Sequence, residues 1–120
     1  MSQFIKDAIR TESHNFYLDE VGPRLIHASM GFVTEAGEFQ DALKKSLFYG
    51  KPLDKTNLKE EIGDLLWYMA IAMDALDTDF DGEQDRVIRK LKARYPSKFE
   101  NQLAENRDLV AERKILETDK

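Results

Sequence analysis

The sequence contains no cysteine, and it is poor in glycine and proline, with six and three among 120 residues. Without cysteine, disulfides and thiolate metal sites are excluded. So few glycines and prolines leave little room for the many tight turns that a β-rich architecture needs. The longest apolar run, residues 65–73, is far shorter than the roughly 20 residues that span a membrane. The N-terminal residues also lack the apolar core of a secretory signal, so we expect a cytoplasmic protein.

The charge balance limits the kinds of partner that this chain can bind. The formal net charge is −5, which disfavours a nucleic-acid duplex because duplex binding needs a basic face. A nucleotide is not disfavoured, because bound metal ions would reverse the local charge. A length of 120 residues predicts a single domain covering the whole chain, residues 1–120.

Apolar residues recur with helical spacing along most of the sequence and predict an all-α protein. The predicted helices span residues of about 3–17, 24–47, 58–76, 82–94 and 103–117. We expect Thr56 or Asn57 to cap the third helix, and Asp79 or Asp81 to cap the fourth. The third helix is apolar on every side through residues 65–73, so it must be covered all round. We therefore expect self-association, as a homodimer or a homotetramer.

Two pairs of acidic residues lie in consecutive predicted helices: Glu35 with Glu38, and Glu61 with Asp64. Each pair is spaced i, i+3, so its side chains stand about 60° apart, one turn above each other. If the two helices pack face to face, four carboxylates surround one small volume. Such a group needs a cation to hold it together. Oxygen ligands favour hard divalent ions, which here means Mg²⁺, with Mn²⁺ as a substitute.

The surrounding residues favour a metal site over plain surface charge. Acidic pairs at this spacing are common on solvated helix faces, so neither pair alone is informative. However, Gly31, Ala36 and Gly37 flank the first pair, and Asp64 opens the most apolar run of the chain. Unpaired carboxylates are rarely buried. The alternative is a non-enzymatic helical oligomerisation or regulatory module, with these acids as surface charge or a vestigial metal site.

The segments EAGE (35–38) and EEIGD (60–64) resemble the ExxE…ExxD signature of the all-α nucleoside triphosphate pyrophosphohydrolases, the MazG-like family. The resemblance extends from about Leu25 through KLKARYP (90–96), and more loosely into the last helix. It implies a four-helix bundle core of about residues 24–96 with an additional C-terminal helix. It also implies Mg²⁺-dependent hydrolysis of nucleoside triphosphates, deoxy or non-standard, to the monophosphate and pyrophosphate, which is nucleotide-pool housekeeping.

The same resemblance assigns metal binding to Glu35, Glu38, Glu61 and Asp64, and Glu60, next to the motif, would either hydrogen-bond to a ligand or replace one. The chemistry requires such groups, because a triphosphate carries about four negative charges that must be neutralised while water is activated. A carboxylate that the metal does not saturate can take the proton of the water. Glu35 and Glu38 are both candidates for this role.

Basic and aromatic residues supply candidates for substrate binding. Lys44, Lys45, Lys90 and Arg94 are candidates for clamping phosphates, although each also fits a solvated helix surface. Trp67 is a candidate for contact with the nucleobase, and it equally fits a core or a subunit interface. Many relatives carry an asparagine shortly before the lysine of the KLxxRYP-like segment. Here residues 86–89 read RVIR, so the preferred base and sugar stay undetermined.

Other kinds of site fail on spacing. The segment DTDFDG at 77–82 resembles the start of a calcium-binding loop, but the twelfth position is Ile88 where a glutamate is needed. Neither His14 nor His27 follows a glutamate at three residues, as a di-iron helix motif requires. The glycine-rich phosphate loop ending in Lys-Ser/Thr is absent, and no nucleophile for covalent catalysis is evident.

Overall fold

The computed structural model describes residues 2–118, and all regular structure in that range is helical. The helices are α1 (Gln3–Ile9), α2 (Gly22–Tyr49), α3 (Lys55–Ala75), α4 (Phe80–Arg94), α5 (Asn101–Glu105) and α6 (Leu109–Glu117). The predicted all-α class is therefore confirmed. Among the helices of the described range, none is both long enough and apolar enough to cross a membrane.

Helix α2 is the longest element, and its ends follow from two special residues. Pro23 stands in its first turn, where the missing N–H is not needed for a helical hydrogen bond. Gly50 ends the helix with φ 68°, in the left-handed region that glycine adopts without steric cost. The sequence prediction placed this helix at 24–47, within two residues of both ends.

Helices α3 and α4 both begin at an aspartate cap. The Asp54 side chain accepts a hydrogen bond from the Asn57 N–H at 3.1 Å, so the prediction that Thr56 or Asn57 caps α3 is wrong. Asp54 lies three residues before Asn57, and its carboxylate accepts a backbone hydrogen bond as a threonine or asparagine cap would. Asp79 caps α4, because its side chain accepts a hydrogen bond from the Gly82 N–H at 2.7 Å. Of the two predicted caps, Asp79 and Asp81, the first is therefore confirmed.

Helix α1 stops at Ile9 although the sequence predicted a helix to residue 17. The Thr11 hydroxyl donates to the Ala8 carbonyl at 3.1 Å, and the Ser13 hydroxyl donates to the Asn15 carbonyl at 3.2 Å. Such local side-chain bonds to the backbone compete with helix formation. The segment that follows, residues 12–19, therefore lies outside any helix.

The C-terminal segment contains two helices where the sequence predicted one. Helix α5 ends at Glu105, and α6 begins at Leu109. Asp108 is extended enough to accept a hydrogen bond from the Ala111 N–H at 3.0 Å. A strong N-cap at this position favours a new helix start over continuation of the earlier helix.

Helices α2 and α3 pack against each other as an antiparallel hairpin. Two small residues of α2 lie in this contact. Ala28 is buried, and a Cβ placed on Gly31 would lie 2.2 Å from a ring carbon of Tyr68. No side chain fits in that space, so glycine at this position permits the approach of the two helices.

Helices α4 and α6 form the second main contact. Buried Glu112 on α6 accepts from the Arg94 Nε at 2.7 Å and from the Arg107 guanidinium at 2.6 Å. These two hydrogen bonds lower the pKa of Glu112 to about 2, and the bond from Arg94 has the larger effect. Arg86 and Arg89 on α4 donate to backbone carbonyls at the C-terminal end of α6.

One chain does not close around a core. Its radius of gyration is 20.1 Å, whereas a compact domain of this length has about 14 Å. Its accessible surface is 9954 Å², against roughly 6,700 Å² for a compact monomer of this mass. Among residues 2–118, Ala28 is the one buried hydrophobic side chain. A four-helix bundle core therefore stays a prediction, since the main contacts join α2 with α3 and α4 with α6.

Candidate metal centre

Three carboxylates converge on the seam between α2 and α3. Glu35 and Glu38 lie one turn apart on α2, and Glu61 faces them from α3. Each offers an oxygen, and these three oxygens lie within 4.8 Å of one another. Glu61 is buried, Glu35 is half-buried and Glu38 is exposed. The cluster is therefore anchored in the helix contact and open to solvent on the Glu38 side.

Glu35 and Glu38 strongly perturb the ionisation of Glu61. The pKa of Glu61 is raised from its ordinary value of 4.5 to about 7. The largest cause is a hydrogen bond with Glu35, followed by burial and by the hydrogen bond with Glu38, and the negative charges of both neighbours add to it. Carboxylates at this separation keep a proton between them unless a cation replaces it.

Two oxygens of the cluster lack partners of their own. Glu35 Oε2 and Glu61 Oε2 are both buried and accept no hydrogen bond from the described residues. Buried polar atoms without a partner are uncommon in folded proteins, and a site that binds an ion is one explanation for them. Carboxylate oxygens that converge in this way match the ligand preference of a hard divalent cation. The residues present therefore fit a Mg²⁺ or Mn²⁺ ion.

The fourth predicted ligand lies beside this group. Asp64 is half-buried on α3, one turn after Glu61. Among residues 2–118, the acids whose oxygens converge do not include Asp64, nor do they include the exposed Glu60. Metal binding by Asp64, and by Glu60 as an alternate ligand, stays a prediction.

A cavity of about 620 Å³ adjoins the cluster and brings a positive charge close to it. Glu38 and Glu61 line this cavity together with Lys45. The Lys45 ammonium lies 2.7 Å from an Asp41 carboxylate oxygen. That hydrogen bond is the main reason why the pKa of Asp41 is lowered and the pKa of Lys45 is raised. A positioned ammonium thus stands at the rim of the acid cluster.

The other basic candidates lie in different surroundings. Lys44 lines a separate cavity of about 420 Å³ beside Phe48. Arg94 is paired with the buried glutamate of α6, and Lys90 is half-buried on α4. Of the four basic candidates, Lys45 is the one that shares a cavity with the acids.

Aromatic side chains border the same helix seam. Trp67 is 58% exposed, and its ring meets the Tyr68 ring edge-on at 5.0 Å. Tyr68 also meets the His27 ring edge-on at 5.8 Å. The exposed face of Trp67 is accessible to a planar ligand, which keeps it a candidate for contact with a nucleobase.

Sequence reasoning missed three polar residues that line the cavity beside the acids: Thr34, Asp41 and Asn57. Helical spacing contained the signal for two of them. Asp41 follows Glu38 by three residues, and Asn57 precedes Glu61 by four, so each shares a helix face with an acid of the cluster.

Comparison with known proteins agrees with this geometry. The MazG nucleotide pyrophosphohydrolase domain matches residues 27–99, more than half of the chain and including all four predicted ligands. The chain is also similar to the Gene 37 protein of Mycobacterium phage L5, with 32% identity over 74 residues, 58% of this chain and 65% of that protein. The match thus spans slightly less than two thirds of that relative. No solved structure matches the chain.

Proposed function

The chain belongs to the MazG nucleotide pyrophosphohydrolase family, and from that premise we propose that it hydrolyses nucleoside triphosphates to the monophosphate and pyrophosphate. The observation that carries the proposal is the convergence of Glu35, Glu38 and Glu61, with two buried oxygens that lack partners. The proposed substrates are deoxy or non-standard triphosphates, and the role is housekeeping of the cytoplasmic nucleotide pool.

The acids are proposed to hold Mg²⁺, with Mn²⁺ as a substitute. Glu35 and Glu61 would bind through their unpartnered oxygens, and Glu38 and Asp64 would complete the ligand set. When bound, the cation supplies charge neutralisation for the phosphates and lowers the pKa of water. Glu61, whose pKa of about 7 keeps it partly protonated near neutral pH, would have to release that proton to act as a ligand.

Among the acids, Glu38 best fits the role of general base, because it is the exposed member and so can meet a water molecule from solvent. Glu35, half-buried against Glu61, is the second candidate. The water oxygen would bond to the α-phosphorus while one of its protons passes to the carboxylate that acts as the base. The α–β phosphoanhydride bond would then break, and pyrophosphate would leave. Lys45, held by Asp41, would neutralise the departing phosphates.

The enzyme is proposed to act as a homodimer, with a homotetramer as the next candidate. The support is the open shape of one chain and the large area of apolar side chains that it exposes, Trp67 and Leu66 on α3 among them. Two α2–α3 hairpins packed together would form the four-helix core that one chain does not close by itself.

The test is pyrophosphate release by two matched variants. Glu38→Gln keeps the size of the side chain but removes the base and one negative charge, so turnover should fall by roughly 10²–10⁴-fold. Glu105→Gln, on the short helix α5 outside the site, should retain turnover. The measurement is a Mg²⁺-dependent pyrophosphate-release screen across standard and deaminated triphosphates, with helical circular dichroism as a check of folding.

Two results would contradict the proposal. Unchanged turnover in Glu38→Gln would remove the assigned role of this residue. Absence of pyrophosphate release from every triphosphate by the natural chain would favour the non-enzymatic module.

A further inference from the structure

The N-terminal helix α1 has an apolar face that this chain does not cover. All residues from 2 to 20 are exposed. On α1, Phe4, Ile5, Ala8 and Ile9 share one face at helical spacing. Phe4 is 81% exposed. A helix of seven residues is too short to be stable alone in water, so we expect this face to pack against a surface.

A groove of about 860 Å³ with an apolar floor and a charged rim lies where the end of α3, the start of α4 and the end of α6 meet. The apolar residues of its lining are Phe32, Met69, Ala72, Met73, Leu76 and Leu116. Its polar lining contains three acids, Asp77, Asp79 and Glu83, and one base, Arg86. The groove shares no lining residue with the cavity beside the acid cluster, so its occupation would leave the metal centre accessible.

We propose that α1 of one copy docks its apolar face into this groove of a second copy, so that two copies exchange their N-terminal segments. The charges are complementary: Lys6 and Arg10 outnumber Asp7 on α1, whereas acids outnumber the single base in the groove. The proposal rests on the dimer proposed above and specifies which segment holds its two copies together.

The exposed area identifies a second copy as the occupant. One chain exposes 9954 Å², roughly 3,000 Å² more than a compact monomer of its mass. Two copies that each buried this excess would hide roughly 6,000 Å² in total, at the upper end of what obligate dimer interfaces bury.

Helix α1 does not occupy the groove of its own chain, although its linker is long enough to reach it. Residues 10–16 could span about 20 Å when extended, and Tyr17 and Leu18 already lie beside Leu76 at the edge of the groove. Nevertheless, none of residues 2–16 lines the groove of the chain to which they belong. The segment is therefore available to a neighbouring copy.

Cysteine cross-linking tests the exchange without background, since the natural chain contains no cysteine. Two full-length copies with different tags are co-expressed, one with Ala8→Cys on the apolar face and the other with Met73→Cys in the groove. A short bismaleimide should link the two differently tagged chains. The matched control replaces Ala8→Cys by Lys6→Cys, on the polar face of the same helix, and should give several-fold less linked product.

The outcomes are decisive and do not depend on catalysis. Linked hetero-tagged chains that form preferentially from Ala8→Cys support the exchange. Equal yields from Ala8→Cys and Lys6→Cys would overturn it, as would the absence of linked hetero-tagged chains. Because neither nucleotide nor metal is added, an inactive protein would refute the proposed function without affecting this result.

Discussion

At the scale of single residues, Glu61 has the most strongly raised pKa in the site. Its carboxyl titrates at about 7 in the folded chain, chiefly because Glu35 shares a hydrogen bond with it, against 4.5 ordinarily. Between these two values the folded state keeps a proton that the unfolded state has released. The free energy of unfolding of the metal-free protein therefore decreases as pH rises through this interval.

We predict that the melting temperature of the protein in chelator falls between about pH 4.5 and pH 7 through this group, and that Glu61→Gln removes that part of the decline. The glutamine keeps the shape of the side chain and does not titrate. The measurement is a series of thermal melts of both proteins. Parallel pH profiles for the two would contradict the prediction.

A second prediction concerns the change in melting temperature when Mg²⁺ is added to the same two proteins. A cation competes with the proton on Glu61, so it should raise the midpoint of the natural chain more at pH 8 than at pH 5.5. Glu61→Gln should lose most of this increase. If Mg²⁺ leaves the midpoint unchanged at both pH values, the acids are surface charge.

At the scale of elements, the bounds of the long helices were predictable from the sequence, whereas the bounds of the short helices were not. Helices α2, α3 and α4 carry several turns of periodic apolar residues, which outweigh local effects. In contrast, α1 is ended by hydrogen bonds of the Thr11 and Ser13 hydroxyls to nearby backbone. The break before α6 likewise depends on the Asp108 cap. Local bonds of this kind decide short segments and leave no periodic signal.

The candidate site shows the same division. The i, i+3 spacing of the acids on two helices was enough to predict that carboxylates meet. It could not show that Asp64 lies outside the converging group, because that depends on the rotation of α3 against α2. Neither could it choose Lys45 over Lys44, two neighbours that enter different cavities.

The contact between α4 and α6 gives an element-scale prediction. Glu112→Gln should lower the melting temperature and speed amide hydrogen exchange over residues 109–117, because Arg94 and Arg107 would lose the carboxylate between them. Glu117→Gln is the matched control, since its partner Arg113 is an exposed neighbour on the same helix. Equal exchange in both variants would show that the buried pair does not hold α6.

The pH dependence of this contact is opposite in sign to that of Glu61. The pKa of Glu112 is lowered to about 2 in the folded chain. Its stabilising contribution is therefore complete above about 4.5 and is lost as pH falls toward 2. The change in melting temperature below about pH 4.5 should therefore report on the α4–α6 contact. The change between about pH 4.5 and pH 7 should report on Glu61 in the metal centre.

At the scale of the whole molecule, the open shape of one chain makes folding and association inseparable. A chain with a radius of gyration of 20.1 Å and one buried hydrophobic side chain in its described part has too little core to be stable alone. In the proposed dimer, a second copy would complete its interior. The partner would then contribute to folding as well as to activity.

We therefore predict that the melting temperature rises with protein concentration, because unfolding is coupled to dissociation. Light scattering after size exclusion should give at least twice the mass of one chain at the concentrations used for melting. A mass of one chain together with a melting temperature independent of concentration would contradict this.

The bare backbone at Gly31 has a consequence for ion size. The Tyr68 ring lies where a Cβ would stand, 2.2 Å from that position, and Glu35 follows one turn later on the same helix. A side chain at position 31 would have to push Tyr68, and α3 with it, away from α2, and we expect that shift to widen the gap between Glu35 and Glu61. Magnesium binds oxygen at about 2.0–2.1 Å and calcium at about 2.3–2.6 Å. If the acids hold the proposed cation, a methyl group at position 31 would therefore shift their preference toward the larger ion.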